Sequence, residues 1–325
     1  MVREKKQQKK DRGQNKSNIF IFGRISEPTS YVVDRIRRRV SLMLSNDFEF
    51  YSIDHGLLPR KVDVFHSKDW KVCLWFYRAF KLRNLKMKHV CTFYGLPLDK
   101  KTGEKLVKAA DVVTTVSLTT MIEALHEFGD ADYRVVYDAV DAEFYKPIKK
   151  QREDKVRVLM VISGARYLKN HITFLKMAEC LPNVEFILHT FSPVKTSLPN
   201  VVIDNIRYPI SNEFGDCEGL RNLYNSADIY LFPSIHEGLN NTMLDAMACG
   251  LPIVAFNTTS MPELVEHGKN GFLCNSIREM EYYLHYLIED ASTRKEFGKK
   301  SREIASWFTW ERCANGYKKL YDELI

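Results

Sequence analysis

Two carboxylates, Glu237 and Asp245, stand with seven residues between them in the stretch Pro233-Ser234-Ile235-His236-Glu237-Gly238-Leu239-Asn240-Asn241-Thr242-Met243-Leu244-Asp245-Ala246-Met247-Ala248-Cys249-Gly250-Leu251-Pro252. Gly238 after the first acid allows close backbone approach. Asn240, Asn241 or Thr242 can cap a helix that turns Met243, Leu244 and Ala246 toward a core, and Gly250 and Pro252 end it. Glu237 then lies on the loop before the helix, and Asp245 about two turns in. Between them the helix start offers free N–H groups and the positive end of a dipole, which suits a phosphate. Two acceptor carboxylates beside a diphosphate suit the vicinal hydroxyls of a hexose and of a ribose, so the pattern fits a sugar nucleotide. The plain alternative is a strand, a loop and a capped helix with ordinary surface acids.

A second group with chemistry is Ser163-Gly164-Ala165-Arg166-Tyr167-Leu168-Lys169-Asn170, which follows the expected strand Val156–Ile162. Gly164 with two cations at the carboxyl end of a strand can neutralise a diphosphate, Arg166 through its fork and Lys169 as a point charge. Stabilising the charge that develops on a leaving diphosphate is the main catalytic contribution such a pair makes. Solvated loop cations are the alternative. His66, in Val64-Phe65-His66-Ser67, also falls at a strand end, either as a donor contact or as a satisfied structural histidine.

These residues carry a resemblance. The Pro233–Pro252 stretch is similar to the nucleotide-sugar signature of the retaining GT-B glycosyltransferases of family 4 (glycosyl transferases group 1), which reads Glu, seven residues, Glu in a Pro-Ser…Glu-Gly…Glu-Ala-Met-Ala…Gly-x-Pro frame. Here Asp245 stands for the second acid, one methylene shorter. Tyr137-Asp138-Ala139-Val140-Asp141…Phe144-Tyr145-Lys146-Pro147 resembles the family's linker, and Leu223–Asp228 its Tyr-x-x-Ala-Asp helix end. The resemblance implies an α/β chain of GT-B type, two Rossmann-like doubly wound domains facing each other across a cleft. It implies transfer of a mannose- or glucose-type hexose from a GDP- or UDP-hexose donor to an acceptor hydroxyl, on a glycan or a lipid-linked acceptor. Retention would follow from front-face attack, with the leaving phosphate taking the acceptor's proton. In that reading Glu237 binds sugar hydroxyls and Asp245 the ribose. Arg166 and Lys169 hold the diphosphate with Gly164 and N–H groups from Gly238, Leu239, Asn240, Asn241, Thr242 and Met243. No cofactor is expected, because no Asp-x-Asp metal motif stands in the donor region and the cations can replace a metal. Two departures stand out. Where the family reads Thr-x-His-Gly, with a histidine that contacts the donor sugar, this chain has Thr92-Phe93-Tyr94-Gly95, so Tyr94 either donates through its hydroxyl or only packs. Where many members have a Gly-Gly pair after the first strand, Gly23 is followed by Arg24.

The elements that must position these groups alternate strand and helix throughout, which implies open parallel sheets. Strands are expected at Ser17–Gly23, Phe48–Ile53, Val62–Phe65, Lys88–Phe93, Val112–Val116 and Arg134–Tyr137, then at Val156–Ile162, Val184–His189, Asn200–Ile203, Ile229–Phe232, Ile253–Ala255 and Phe272–Cys274. Helices are expected at Tyr31–Leu44, Gly103–Ala110, Thr119–Phe128, Ile172–Cys180, Gly219–Ser226, around Glu263, over Arg278–Lys300 and at Trp310–Leu324. The 325 residues fit two domains. The first covers 18–147, on the acceptor side, with a C-terminal helix (308–325) crossing back onto it. The second, 148–307, binds the nucleotide sugar. The polar run Lys146–Asp154 marks the linker.

Composition narrows the rest. Seven cysteines without a Cys-x-x-Cys pair read as reduced thiols in a cytoplasmic protein, and no apolar run reaches the length of a membrane span. Residues 1–17 hold +5 of the chain's net +7 and almost no apolar side chain, the mark of a disordered basic tail. That tail is either solubilising or attracted to an anionic membrane, giving a peripheral protein. Clusters at Arg35–Arg39 and Lys81–His89, interleaved with Trp70, Trp75, Phe76 and Tyr77, read as solvated faces or as an acceptor-side surface for lipid phosphates. Two rival functions are an epimerase or hydrolase of nucleotide sugars on the same architecture, and a non-catalytic nucleic-acid- or membrane-binding protein. The transferase reading is preferred because the tail lies outside the fold while the acid–helix site lies inside it; no nucleic-acid partner is expected.

Overall fold

The computed structural model describes residues 16–22, 38–51, 61–67, 77–78, 86–96, 99–148, 155–164, 167–212 and 214–325. The expectations for the tail up to residue 15, Gly23, Trp70, Trp75, Phe76, the 149–154 part of the linker and Arg166 lie outside the described residues.

Two six-stranded sheets organise the chain, and every strand pair is parallel. The first contains β1 (Ser17–Phe22), β2 (Phe48–Tyr51), β3 (Val64–Ser67), β4 (Lys88–Phe93), β5 (Val112–Thr115) and β6 (Tyr133–Val135), in spatial order β2-β1-β3-β4-β5-β6. The second contains β7 (Arg157–Val161), β8 (Glu185–His189), β9 (Val201–Asp204), β10 (Ile229–Phe232), β11 (Ile253–Phe256) and β12 (Gly271–Cys274), in order β12-β11-β10-β7-β8-β9. A parallel sheet covered on both faces needs continuous apolar runs rather than alternation. β10, Ile-Tyr-Leu-Phe, is buried at every position. In the first sheet Ile19 and Ile21 face one core cluster while Phe20 faces another, as the two-residue period of a strand requires.

The described α-helices are α1 (Lys100–Ala109), α2 (Leu118–Phe128), α3 (His171–Cys180), α4 (Glu218–Ser226), α5 (Asn241–Ala248), α6 (Ile277–Glu289), α7 (Ala291–Ala305) and α8 (Trp310–Leu324), besides a helical segment at 38–43. α1 starts earlier than its apolar pattern because the Asp99 carboxylate accepts the Thr102 N–H. The helices expected over 278–300 are α6 and α7, divided where Asp290 accepts N–H bonds from Ser292 and Thr293. Around Glu263 there is one 3-10 turn, Met261–Glu263, rather than a helix. α8 lies against the first sheet: Trp310, Cys313, Ala314, Tyr317, Leu320 and Tyr321 share a core with Ile19, Val64 and Val90. Among the described residues no helix is long and apolar enough to cross a membrane.

Strand order decides where a ligand can sit. In open α/β sheets the crevice opens at the carboxyl ends of the strands where the order reverses. In the second sheet that point is between β7 and β10, so the loops after these two strands meet there. In the first sheet it is between β1 and β3.

Candidate active site

The loop after β7 and the loop after β10 are stitched together by backbone. Ile235 N donates to the Leu168 carbonyl at 2.9 Å, and Ser234 Oγ lies 2.8 Å from the same oxygen. This places Lys169 on Glu237: its Nζ donates to Oε1 at 2.6 Å and to Oε2 at 2.8 Å. Ser234 Oγ is 2.7 Å from Glu237 Oε1 and fully buried. Glu237 itself is 9% exposed and Lys169 26%, so the pair is partly desolvated and open on the lysine side. Lys169 Nζ also lies 5.6 Å from the centre of the Phe232 ring. Asn170, the next residue, takes φ +50, a left-handed conformation asparagine tolerates, and starts α3. Gly164, half-buried, lies beside Ser192 at the end of β8, where an added Cβ would come 3.3 Å from the serine hydroxyl.

Of the three candidate caps, Asn240 caps α5: its side chain accepts the Met243 N–H at 2.7 Å. Gly250, at φ +80, ends the helix as a left-handed glycine. Thr242 Oγ1 bonds to the Val161 carbonyl and to the Tyr230 hydroxyl, tying the helix start to the end of β7. The expectation for Met243 is corrected: its N–H is taken by Asn240 and its side chain is core. Leu239 is likewise 7% exposed and part of the core, which leaves it only backbone to offer. Asp245 is 4% exposed on the second turn. It acts electrostatically on Cys217, Tyr224, Tyr230 and Cys249. Tyr230 feels Glu237 as well as Asp245. Burial above all, opposed by the Thr242 bond and reinforced by the two acids, pushes its hydroxyl far up and keeps it neutral.

The first lobe approaches this site through backbone. A Cβ on Gly238 would come 2.0 Å from the Tyr94 carbonyl oxygen, so only glycine fits there. The Tyr94 ring packs between the two cores. Its hydroxyl is buried with no hydrogen-bond partner among the described residues. Burial, then the neighbours Tyr317 and Asp138, drives it far up. Of the two readings of Tyr94 the structure shows packing: the ring lies against both the second-lobe core and the α8 core. Of the two readings of His66 the structure shows the satisfied structural histidine. It has no exposed surface, Nδ1 is 2.6 Å from the Tyr321 hydroxyl and Nε2 2.6 Å from Thr92 Oγ1, so it ties β3 to β4 and α8. In the basic clusters, Arg39 is neither solvated nor available to lipid phosphate. It is 7% exposed, pairs with Asp216 of the second lobe and donates to Asp141 at 2.9 Å, under the rings of Phe214 and Trp310. Burial works to raise Asp141, but the Phe144 N–H and the Arg39 guanidinium outweigh it and hold its carboxyl below the usual range. His89 is fully buried between Phe65 and Tyr77.

Further interlobe contacts complete the site. Asn241 Nδ2 donates to Asp138 at 2.8 Å, and His236 Nε2 is 3.5 Å from Glu123 on α2. Glu263 reaches the start of α2 and accepts the N–H groups of Leu118 and Thr119 at 3.0 and 2.8 Å. Sequence reasoning missed Ser234, Thr259, Ser260 and Glu263 as partners of the site. Ser234 sat in the recognised frame and could have been singled out. The other three come from a different βα unit, with no spacing that ties them to Glu237.

The comparisons agree with this geometry. Residues 157–290 match the family model described as Glycosyl transferases group 1. A Bacillus subtilis relative named spore coat protein SA is 31% identical over 70% of this chain and 68% of its own length. An uncharacterized glycosyltransferase of Methanocaldococcus jannaschii is 25% identical over 86% of this chain and 78% of its own. A Haemophilus influenzae uncharacterized glycosyltransferase is 42% identical, but over only 28% of its length. Sucrose-phosphate synthase from Thermosynechococcus elongatus superposes with a TM-score of 0.76, over 95% of this chain and 99% of that one, at 15% identity. Anabaena HepE, solved with UDP and glucose, gives 0.75 over 94% and 100%, at 16%. The fold is therefore GT-B. The chain belongs to the glycosyl transferases group 1 family, a family of glycosyltransferases.

Proposed function

We propose that the protein transfers a hexose from a nucleotide diphosphate sugar to an acceptor hydroxyl with retention at the anomeric carbon. The second lobe (148–307) holds the donor, and the first (18–147 with 308–325) faces the acceptor. The observation that carries this reading is the Lys169–Glu237 pair at the β7/β10 crevice, beside the capped start of α5. Lys169 supplies positive charge where a diphosphate leaves, and Glu237, held by Ser234, presents carboxylate oxygens to sugar hydroxyls. By sequence, Arg166 supplies a second cation of the same loop. N–H groups from Gly238 to Thr242 complete the phosphate cradle, and Asp245 sits toward the ribose. In this reading Lys169 and Arg166 take the place a metal cation would fill.

The donor base is open between guanine and uracil. HepE was solved with UDP and glucose, which favours a UDP-hexose. An Escherichia coli relative, 34% identical over 32% of this chain and 28% of its own length, is named O-antigen chain mannosyltransferase B, which favours GDP-mannose. The acceptor class is a glycan or a lipid-linked glycan, with the basic tail drawn to an anionic membrane. Thermal-shift screening against GDP-, UDP- and ADP-hexoses tests the donor reading: one nucleotide class should raise the midpoint, and none doing so would overturn it. Incubation of the stabilising donor with and without acceptors separates transfer from epimerisation.

A further inference from the structure

Thr259 is a β-branched residue at φ +43, a conformation such side chains rarely take outside functional or strained sites. The strain comes with two sets of bonds that point in opposite directions. Toward the candidate active site, Thr259 Oγ1 accepts the Glu237 N–H at 3.1 Å, and Ser260 Oγ donates to the Glu237 carbonyl at 3.3 Å. Ser260 is fully buried. Toward the other lobe, the Thr259 carbonyl lies 3.4 Å from Thr119 Oγ1, whose proton goes to Glu263. Four residues on, Glu263 Oε1 accepts from Thr119 Oγ1 at 2.6 Å and from Thr119 N at 2.8 Å. Its Oε2 accepts from Leu118 N at 3.0 Å and from the Tyr137 hydroxyl at 2.7 Å. That carboxylate sits at the positive end of α2, where a negative group is stabilised. α2 also reaches the acid loop directly, through Thr120 Oγ1 and the Gly238 carbonyl at 3.3 Å.

We propose that residues Thr259 to Glu263 form a positioning bracket that couples the junction of the two lobes to Glu237. One side of the bracket holds both backbone groups of Glu237, and the other side holds the first turn of α2. Glu237 then takes its working position only while the lobes are joined through Glu263. Thr259 is a positioning residue and touches no reacting atom. Its strained backbone turns the hydroxyl toward Glu237 and the carbonyl toward Thr119 from one residue. The inference rests on the assignment of Glu237 to the donor site for its consequence, but the coupling itself is a property of the free protein.

The test is hydrogen–deuterium exchange on the full chain without ligand. Peptides spanning 117–121, 235–240 and 258–265 are followed in the wild type and in Thr259→Ala, Thr259→Ser, Glu263→Ala and Glu263→Gln. Glu263→Ala should speed exchange about tenfold at 117–121 and also at 235–240, which Glu263 does not touch. Thr259→Ala should do the same at 235–240 and at 117–121. Thr259→Ser, which keeps the hydroxyl, should restore wild-type exchange, and Glu263→Gln should fall between. A change confined to the mutated segment and its immediate partner would overturn the coupling. So would faster exchange throughout the chain, which marks plain loss of stability. With the donor identified by thermal shift, Thr259→Ala should lower kcat about tenfold at nearly constant donor KM, and Thr259→Ser should recover it. Coupled exchange without any nucleotide-sugar turnover would keep the bracket and reject the transferase. Turnover with uncoupled exchange would do the reverse.

Discussion

The two lobes are built from the same parts and use them differently. In the second, the strand order β12-β11-β10-β7-β8-β9 reverses between β7 and β10, and the loops there bring Lys169, Ser234 and Glu237 within hydrogen-bond distance. In the first, the polar side chains at the ends of β3 and β4 turn inward. His66 bonds to Tyr321 and Thr92, Ser67 to His89, and Tyr94 packs with its hydroxyl buried. What the described part of the first lobe presents to Gly238 is the Tyr94 backbone and the Thr120 hydroxyl. Among the described residues, the side chains gathered at this crossing belong to the second lobe, while the first contributes packing and ion-paired attachment. C-terminal helix α8 explains part of the asymmetry. It packs Tyr317 and Tyr321 against the first sheet and supplies inward partners that the second sheet does not have from α8.

Removing the side chains of the second-lobe site should have the largest effect. Lys169→Ala and Glu237→Gln should each lower transfer about 100-fold or more. The double variant should be little worse than either, because the two act as one unit. Near-normal turnover in either single variant would break the comparison at its centre. Gly238→Ala comes next. Its Cβ would meet the Tyr94 backbone, so the lobes must shift, and a displacement on that scale should cost about 100-fold in kcat/KM or somewhat less. Scattering profiles of the free protein should show the altered lobe arrangement.

Attachment is tested through stability rather than rate. Arg39→Met removes one partner of Asp216, which has no exposed surface, and should lower unfolding free energy by about 3–5 kcal/mol in denaturant titration. A loss under ~1 kcal/mol would mean that the pair contributes little to joining the lobes. A smaller effect is expected at His189, bonded to Asp204 at 3.0 Å. Burial holds its pKa below the ordinary 6.5, and the Asp204 interaction only partly offsets this. The folded state therefore binds its proton less readily than the unfolded chain. The stabilising contribution is complete above pH 6.5 and is lost as pH falls through the lower folded value. His189→Gln should flatten the dependence of unfolding free energy on pH below that point, and an unchanged slope would remove His189 as its source. The smallest effect should be that of Tyr94→Phe. With no partner to lose, turnover should stay within about twofold and stability should hold or rise by up to ~1 kcal/mol. A tenfold loss would show that the hydroxyl reaches the donor after all and would blur the division between the lobes.

Much of this was legible in the residues. The apolar runs marked the strands because parallel strands covered on both faces have no polar side to show. Glu237, Asn240, Gly250 and Lys169 were legible because acids, caps and glycines announce loop and helix ends locally. Tyr94 and His66 were read as possible donor contacts because a strand end is where ligands bind, and a one-dimensional pattern carries no direction for the side chain. Met243 was counted as a phosphate donor because the cap could have been any of three residues. Arg39 looked solvated because its neighbours in sequence are charged, whereas its partners lie 102 and 177 positions away.

By itself the sequence determined most element types, the capped helix after the acid loop and the presence of a cation loop after β7, since each depends on residues within a few turns of one another. The tertiary structure alone decided which groups meet. Strand order brings the β7 and β10 loops together, and packing beside α8 buries the His66 ring and the Tyr94 hydroxyl. The physical reason is range: propensity and capping act over a few residues, while ion pairs, packing and strand register join positions that the chain holds far apart.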